Sequence, residues 1–185
     1  EQVKHLIGVS PQETAVAPNL SVRENLELIC GIHSFSKEKT KVKINELSEQ
    51  FMLDEVLQRK AGKLSGGWQR RVSIAMALIS EPEILFLDEP TTYLDIRYQV
   101  EILELVKELN KRYGMTIAMI LHDINQAVHY GDEIIGLKEG HILIQGKPKE
   151  VVDEEVIQKI YGIHLPVRQV DGDIAVLAVG KRDID

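Results

Sequence analysis

The stretch Ile84-Leu85-Phe86-Leu87-Asp88-Glu89-Pro90 decides how this 185-residue chain folds. Four consecutive apolar residues between Glu81-Pro82 and Pro90 are too few for a helix and lack polar alternation, so they read as a strand buried on both faces. Residues 96–112 follow with Val100, Leu103, Val106 and Leu109 at helical spacing, and Gly114 stops that helix. Residues 116–121 then make a second buried strand. A strand, a helix and a strand in that order require a parallel sheet with a right-handed crossover. Asp88 and Glu89 therefore sit at the C-terminal tip of a parallel strand, where open α/β sheets gather their ligands.

Toward the N-terminus, Ser65 is expected to cap a helix running to Ile79, with Val72, Ala75, Met76 and Ile79 on one stripe. Ser21-Val22-Arg23-Glu24 is a capping box and predicts a helix over residues 22–32. A second helix covers residues 37–51, with Val42, Leu47 and Phe51 among its apolar positions, and a short piece near residues 54–58 precedes Gly62. The chain opens on Glu1 and moves at once into the apolar residues 6–9, as a chain entered partway through a fold would. Toward the C-terminus the pattern gives a helix (125–129), a strand (133–137), a Glu139-Gly140 turn and a strand (141–144). Helices near 148–152 and 153–161 lead to a hairpin over 166–179, turned at Asp171-Gly172. The fold class is α/β, a parallel-sheet core with an inserted α-helical subdomain and a C-terminal β-hairpin. The expected segments are 1–18 (core remnant), 19–82 (helical subdomain), 83–147 (α/β core) and 148–185 (terminal helices and hairpin).

Composition narrows the function. Acidic residues outnumber basic ones, 29 to 22, for a net charge of -7, which argues against a nucleic-acid groove. The longest apolar stretches fall far short of the ~20 residues that span a bilayer, and residues 1–20 carry no secretory pattern. The single cysteine, Cys30, lies among Leu28, Ile29 and Ile32, so it is expected in the core, and the chain is expected in a reducing compartment.

Three local patterns bear on chemistry. Leu64-Ser65-Gly66-Gly67 opens a helix, and a serine followed by two glycines lets a phosphate reach the free backbone donors there; a plain cap with a flexible turn is the simpler alternative. Side chains of successive strand residues diverge, so Asp88 and Glu89 divide the labour: one holds Mg²⁺ through water, and the other polarises an attacking water. A solvated carboxylate pair is the alternative. His122 follows the next strand and could face the same pocket as Glu89 to contact a terminal phosphate, or serve only as a strand-end residue. His5, His33, His129, His141 and His164 have no metal-site spacing, and no zinc is assigned.

Taken in order, Gln12, Leu64 to Gly67, Asp88-Glu89, Leu94-Asp95 and His122 make the chain resemble the ATP-binding cassette (ABC) ATPases, over essentially its whole length. The resemblance implies a P-loop NTPase-like core that uses ATP and Mg²⁺. It makes Gln12 the loop residue that senses Mg²⁺ and contacts the membrane partner. Ser65, Gly66 and Gly67 become the signature that caps the γ-phosphate held by the opposite protomer. Asp88 becomes the Walker B acid, Glu89 the catalytic base, Asp95 the end of the D-loop and His122 the switch histidine. It also implies a transmembrane permease subunit, a second nucleotide-binding domain or homodimer partner, no nucleic acid, and a cytoplasmic location, peripheral at the inner face of the plasma membrane.

The chain departs from the family pattern in three ways. No Gly-x4-Gly-Lys-Ser/Thr loop is present; the nearest string, Gly140 to Pro148, has one residue too many and a proline where the hydroxyl belongs. Weak or no ATP binding is therefore expected of the isolated chain. Trp68 stands where glutamine is commonest, a change that could alter the dimer contact. Finally, residues up to Ala77 look like multidrug or antibiotic exporter cassettes, whereas residues from Thr91 onward look like importers of iron-siderophore, haem or cobalamin. A join near residues 88–92, in a truncated, recombined or engineered chain, and natural divergence both account for this. The competing class is a non-catalytic cassette fragment that folds and self-associates. DNA-repair and translation cassettes lack support, with no heptad insert, no second cassette and no basic surface.

Overall fold

The computed structural model describes residues 6–170 and 172–178. It divides into two compact units, the first running to Ile120 and the second starting at Leu121.

In the first unit, β1 (Ile7–Ser10), β2 (Ile84–Leu87) and β3 (Thr116–Met119) form a parallel sheet in that order. Ile7 is level with Ile84 and Thr116, and Ser10 with Leu87 and Met119. The helical insertion between β1 and β2 starts with α1 (Val22–Ile32), whose bounds match the capping-box expectation. The box is closed: the Glu24 amide donates to Ser21 Oγ at 3.2 Å, and the Ser21 amide donates to Glu24 Oε2 at 2.6 Å. Helix α2 (Lys37–Gln50) packs on α1, short 3₁₀ turns follow, and α3 (Gly66–Ala77) packs on both α1 and β1. Helix α4 (Ile96–Tyr113) crosses from β2 to β3 and ends at Gly114, whose φ of 62° suits a residue without a Cβ. Leu26, Ile44, Leu47, Phe51, Ile74, Ile79, Leu85, Leu87 and Leu109 fill the core, and Cys30 lies fully buried among them. Burial pushes the Cys30 thiol up from its ordinary range, so it stays protonated and unreactive.

The sheet corrects one expectation. Leu85 and Leu87 are buried, but Phe86 is 43% exposed and its register neighbour Val9 is 57% exposed, so β2 is covered on one face only. Strand β3 is no better covered: Thr116 is exposed, and Ile117 to Met119 are partly exposed. Two apolar helix positions also face outward. Val42 is exposed because the buried side of α2 carries Ile44, Leu47 and Ser48, with Val42 about 200° around the axis from Ile44. Val100 is exposed because the buried run of α4 begins only at Ile102.

The second unit contains α5 (Ile124–Tyr130), an antiparallel pair β4 (Ile134–Lys138) and β5 (His141–Gly146), α6 (Pro148–Val151), α7 (Glu154–Tyr161), and the hairpin β6 (Val167–Val170) and β7 (Asp173–Val176). Its small core comprises Val128, Val152, Ile157 and Val176. Asn125 ties α5 to the hairpin, accepting from the Val176 amide at 2.7 Å and donating to its carbonyl at 3.0 Å. Asp171 of the expected turn, and Val179 at the hairpin's expected end, lie outside the described residues. No described helix is long and apolar enough to cross a membrane.

Candidate functional site

The turn after β2 carries the two carboxylates. Glu89 has a φ of 46°, in the left-handed region that costs a non-glycine residue about 1–2 kcal/mol. Its carboxylate oxygen Oε2 accepts from Gln12 Nε2 at 2.6 Å and from Thr92 Oγ1 at 2.9 Å. Gln12, placed 77 positions away in sequence, is thus brought onto Glu89. Asp88 is half-buried beside them, its amide donating to the Ser10 carbonyl at 3.0 Å.

What holds Gln12 there is a residue the sequence reading did not single out. Arg70, on α3 and only 4% exposed, donates to the Pro11 carbonyl at 2.6 Å and to the Gln12 carbonyl at 2.5 Å. Burial pulls its guanidinium pKa down from the ordinary value, and the charges of Asp88 and Glu89 push the other way. Thr14 Oγ1 donates to Gln69 at 3.3 Å, and Ser10 and Ser73 share a buried hydroxyl hydrogen bond of 2.9 Å. One face of α3 therefore fastens the end of β1 and the loop behind it. The available signal was a run of three polar residues, Gln69-Arg70-Arg71, at the start of an otherwise apolar helical stripe.

Helix α3 begins at the predicted motif, with a difference. Ser65 occupies the N-cap with an extended backbone, but its side chain makes no bond to its own helix, so the expected serine cap is absent. The glycines have a packing reason as well as the anticipated phosphate access. A Cβ on Gly67 would lie 2.8 Å from the Tyr98 ring, and one on Gly66 would lie 3.2 Å from Leu94 Cδ2. The start of α3 thus packs against the segment that enters α4, where Asp95 is an exposed N-cap that also makes no side-chain cap bond. Trp68 is half-buried with the Arg71 guanidinium 5.5 Å from its ring centre, and Arg71 pairs with Glu101 at 2.8 Å.

His122 belongs to the second unit, exposed in the segment before α5. Its neighbour Asp123 caps that helix, accepting from the Asn125 and Gln126 amides at 2.8 and 3.3 Å. Among the described residues, no group of three or more His, Cys, Asp or Glu side chains could by itself hold a metal ion.

Residues 1–92 match the family described as ABC transporter. The chain is 53% identical over 100 residues to the ferric enterobactin transport ATP-binding protein FepC of Escherichia coli K12, covering 54% of this chain and 37% of FepC. It is 41% identical over 167 residues to the petrobactin import ATP-binding protein FpuC of Bacillus anthracis, covering 88% of this chain and 61% of FpuC. Among solved structures, CbiO1 of Clostridium perfringens, part of the ABC transporter complex cbiONQ, superposes with a TM-score of 0.76 at 29% identity, over 85% of this chain and 63% of that one. The chain has the ABC ATPase fold, and its first 92 residues match that family. It spans less than two thirds of the length of these curated relatives. The FpuC alignment is long enough to include residues on both sides of position 88.

Proposed function

We propose that this chain is the catalytic and signature portion of the ATP-binding subunit of an ABC importer for iron-siderophore or similar chelates. The observation that carries the reading is the 2.6 Å hydrogen bond from Gln12 to Glu89, which joins a loop glutamine to a carboxylate at a strand tip. Glu89 is the general base that orients and deprotonates the attacking water. Asp88 and Gln12 offer oxygen donors suited to Mg²⁺, an ion usually held by one or two protein groups with water and substrate phosphate completing its shell. That fits a site with no larger ligand cluster. When bound, Mg²⁺ offsets charge on the ATP phosphates.

Ser65, Gly66 and Gly67 face the γ-phosphate held by a second cassette; the Ser65 hydroxyl is not spent on its own helix, which supports that role. Asp95 lies at the contact between cassettes, and His122 contacts the terminal phosphate. A transmembrane permease receives the work, and the subunit sits on the cytoplasmic side of the plasma membrane through that partner. The siderophore assignment rests on the likeness to FepC, a ferric enterobactin transport protein, and FpuC, a petrobactin import protein.

The chain carries no Gly-x4-Gly-Lys-Ser/Thr string, and the reading includes weak or absent ATP binding by these 185 residues alone. Calorimetry with Mg²⁺ and ATP on the Glu89→Gln chain tests it. No binding by a folded chain supports a phosphate cradle supplied elsewhere, and micromolar binding refutes that part of the reading. A second reading draws support from the exposed Val9 and Phe86 pair: a folded, non-catalytic cassette fragment that self-associates through this apolar face. Light scattering across a dilution series separates the two, because the first reading needs no self-association without nucleotide.

A further inference from the structure

We propose that the groove between α1 and α2 is a binding site for a small organic or inorganic polyanion, one carrying two or more carboxylate or phosphate groups. The groove encloses about 480 Å³, and its walls carry Arg23, Lys37 and Lys41 against a single carboxylate, Glu27. That volume lies in the range of small-molecule sites, roughly 300–1,000 Å³.

The charge is local. The whole chain has a net charge of -7, yet residues 37–43 hold four lysines against one glutamate. Two of those lysines are engaged elsewhere. Lys43 is buried and pairs with Glu46 at 3.2 Å and Glu81 at 3.1 Å, and Lys39 lies over the Phe35 ring at 3.9 Å. Lys37 and Lys41 are exposed and form no ion pair among the described residues. They stand one helical turn apart on α2, so both point to the same wall. Across the groove, Arg23 reaches Glu27 only at 4.0 Å, an exposed pair of little strength that leaves the guanidinium able to take a second acceptor. Phe35, Thr40 and Ile44 complete the lining. Three cations with one weak internal partner, around a concave space, attract an anion that bridges both helices.

The bridge would have a structural effect. Helix α1 is fastened to the loop behind Gln12 through Asn25, whose Oδ1 accepts from the Ala17 amide at 2.7 Å and whose Nδ2 donates to the Ala17 carbonyl at 3.2 Å. An anion holding α1 to α2 stiffens the support of that loop.

The test is calorimetric titration of the 185-residue chain at constant ionic strength with two probes, citrate and inorganic pyrophosphate. Binding of either probe is expected, and Lys37→Glu with Lys41→Glu should weaken it by about tenfold or more. Citrate alone identifies a carboxylate ligand, pyrophosphate alone a phosphate ligand, and both a general polyanion site. Glu89→Gln and Ser65→Ala should leave the affinity unchanged, which separates this groove from the ATPase site. Both lysines are exposed, so far-ultraviolet circular dichroism should be unchanged in the double variant; Arg23→Gln, with its smaller perturbation, provides an independent loss. Failure of both probes to bind, or binding indifferent to these substitutions, overturns the proposal.

Discussion

Helices α1 and α3 both begin at a serine, and the two serines have nearly the same backbone: φ -67°, ψ 165° at Ser21 and φ -64°, ψ 159° at Ser65. Ser21 accepts the Glu24 amide and closes a capping box. Ser65 leaves its helix uncapped by any side chain. The same contrast separates aspartates. Asp123 and Asp153 accept amides of their own helices, whereas Asp95 does not. Residue type and backbone alone therefore do not decide how a cap is used. Among the described residues, Ser65 and Asp95 are the two unspent N-caps whose side chains can accept a hydrogen bond, and both belong to the segments that the family resemblance assigns to the contact between cassettes.

The sharpest test of that division is Glu89→Gln in the complete transporter. General acid–base catalysis contributes about 10²–10⁴-fold, so ATP turnover should fall at least a hundredfold while the unfolding midpoint stays put. Retained turnover would return Glu89 to the framework class. Next in size is Arg70→Ala, which strips donors from the Pro11 and Gln12 carbonyls and should cost about 2–3 kcal/mol in urea unfolding. A loss under about 0.5 kcal/mol would show that α3 does not hold the glutamine loop.

Ser21→Ala should cost about 1 kcal/mol, and Ser65→Ala only a few tenths by the same measurement. Equal losses would erase the contrast between the two caps. The smallest expected effect concerns pH. The Ser21 amide and hydroxyl hold the Glu24 carboxyl below its usual range. A depressed folded pKa means that this contribution is full above the unfolded value of about 4.3 and fades as pH falls through the lower folded value. Acid titration of stability should therefore lose a shallow arm below about pH 4 in Glu24→Gln.

Much of this architecture was legible in the chain because it is encoded locally. The capping box marked the start of α1, Gly114 marked the end of α4, and the apolar run at Ile84 placed β2. The hydrogen bond joining Gln12 to Glu89 links residues 77 positions apart, which no local pattern announces. Coverage was not legible. A run such as Ile-Leu-Phe-Leu is symmetric about the strand, so it cannot say that Leu85 is buried while Phe86 faces outward; only neighbouring elements decide that. Val42 failed for a related reason, since an apolar residue on a Lys-rich helix looks inward until Ile44 and Leu47 set the face. Arg70 escaped notice because its partners are backbone carbonyls distant in sequence. Gly67 was read for what it admits, and the Tyr98 ring against it adds a second requirement.

The pairing of Ile7 with Ile84 also bears on how the first unit is made. Strand β1 leaves the ribosome long before its hydrogen-bonding partner exists, and at about 5–20 residues per second the wait is roughly 4–15 s. Helices α1, α2 and α3 are synthesised in that interval, and their shared core of Leu26, Ile44, Phe51 and Ile74 can collapse first. Sheet closure between residues so far apart is the slow, high-contact-order event. During synthesis the nascent β1 edge is the part of this unit that needs shielding from other chains.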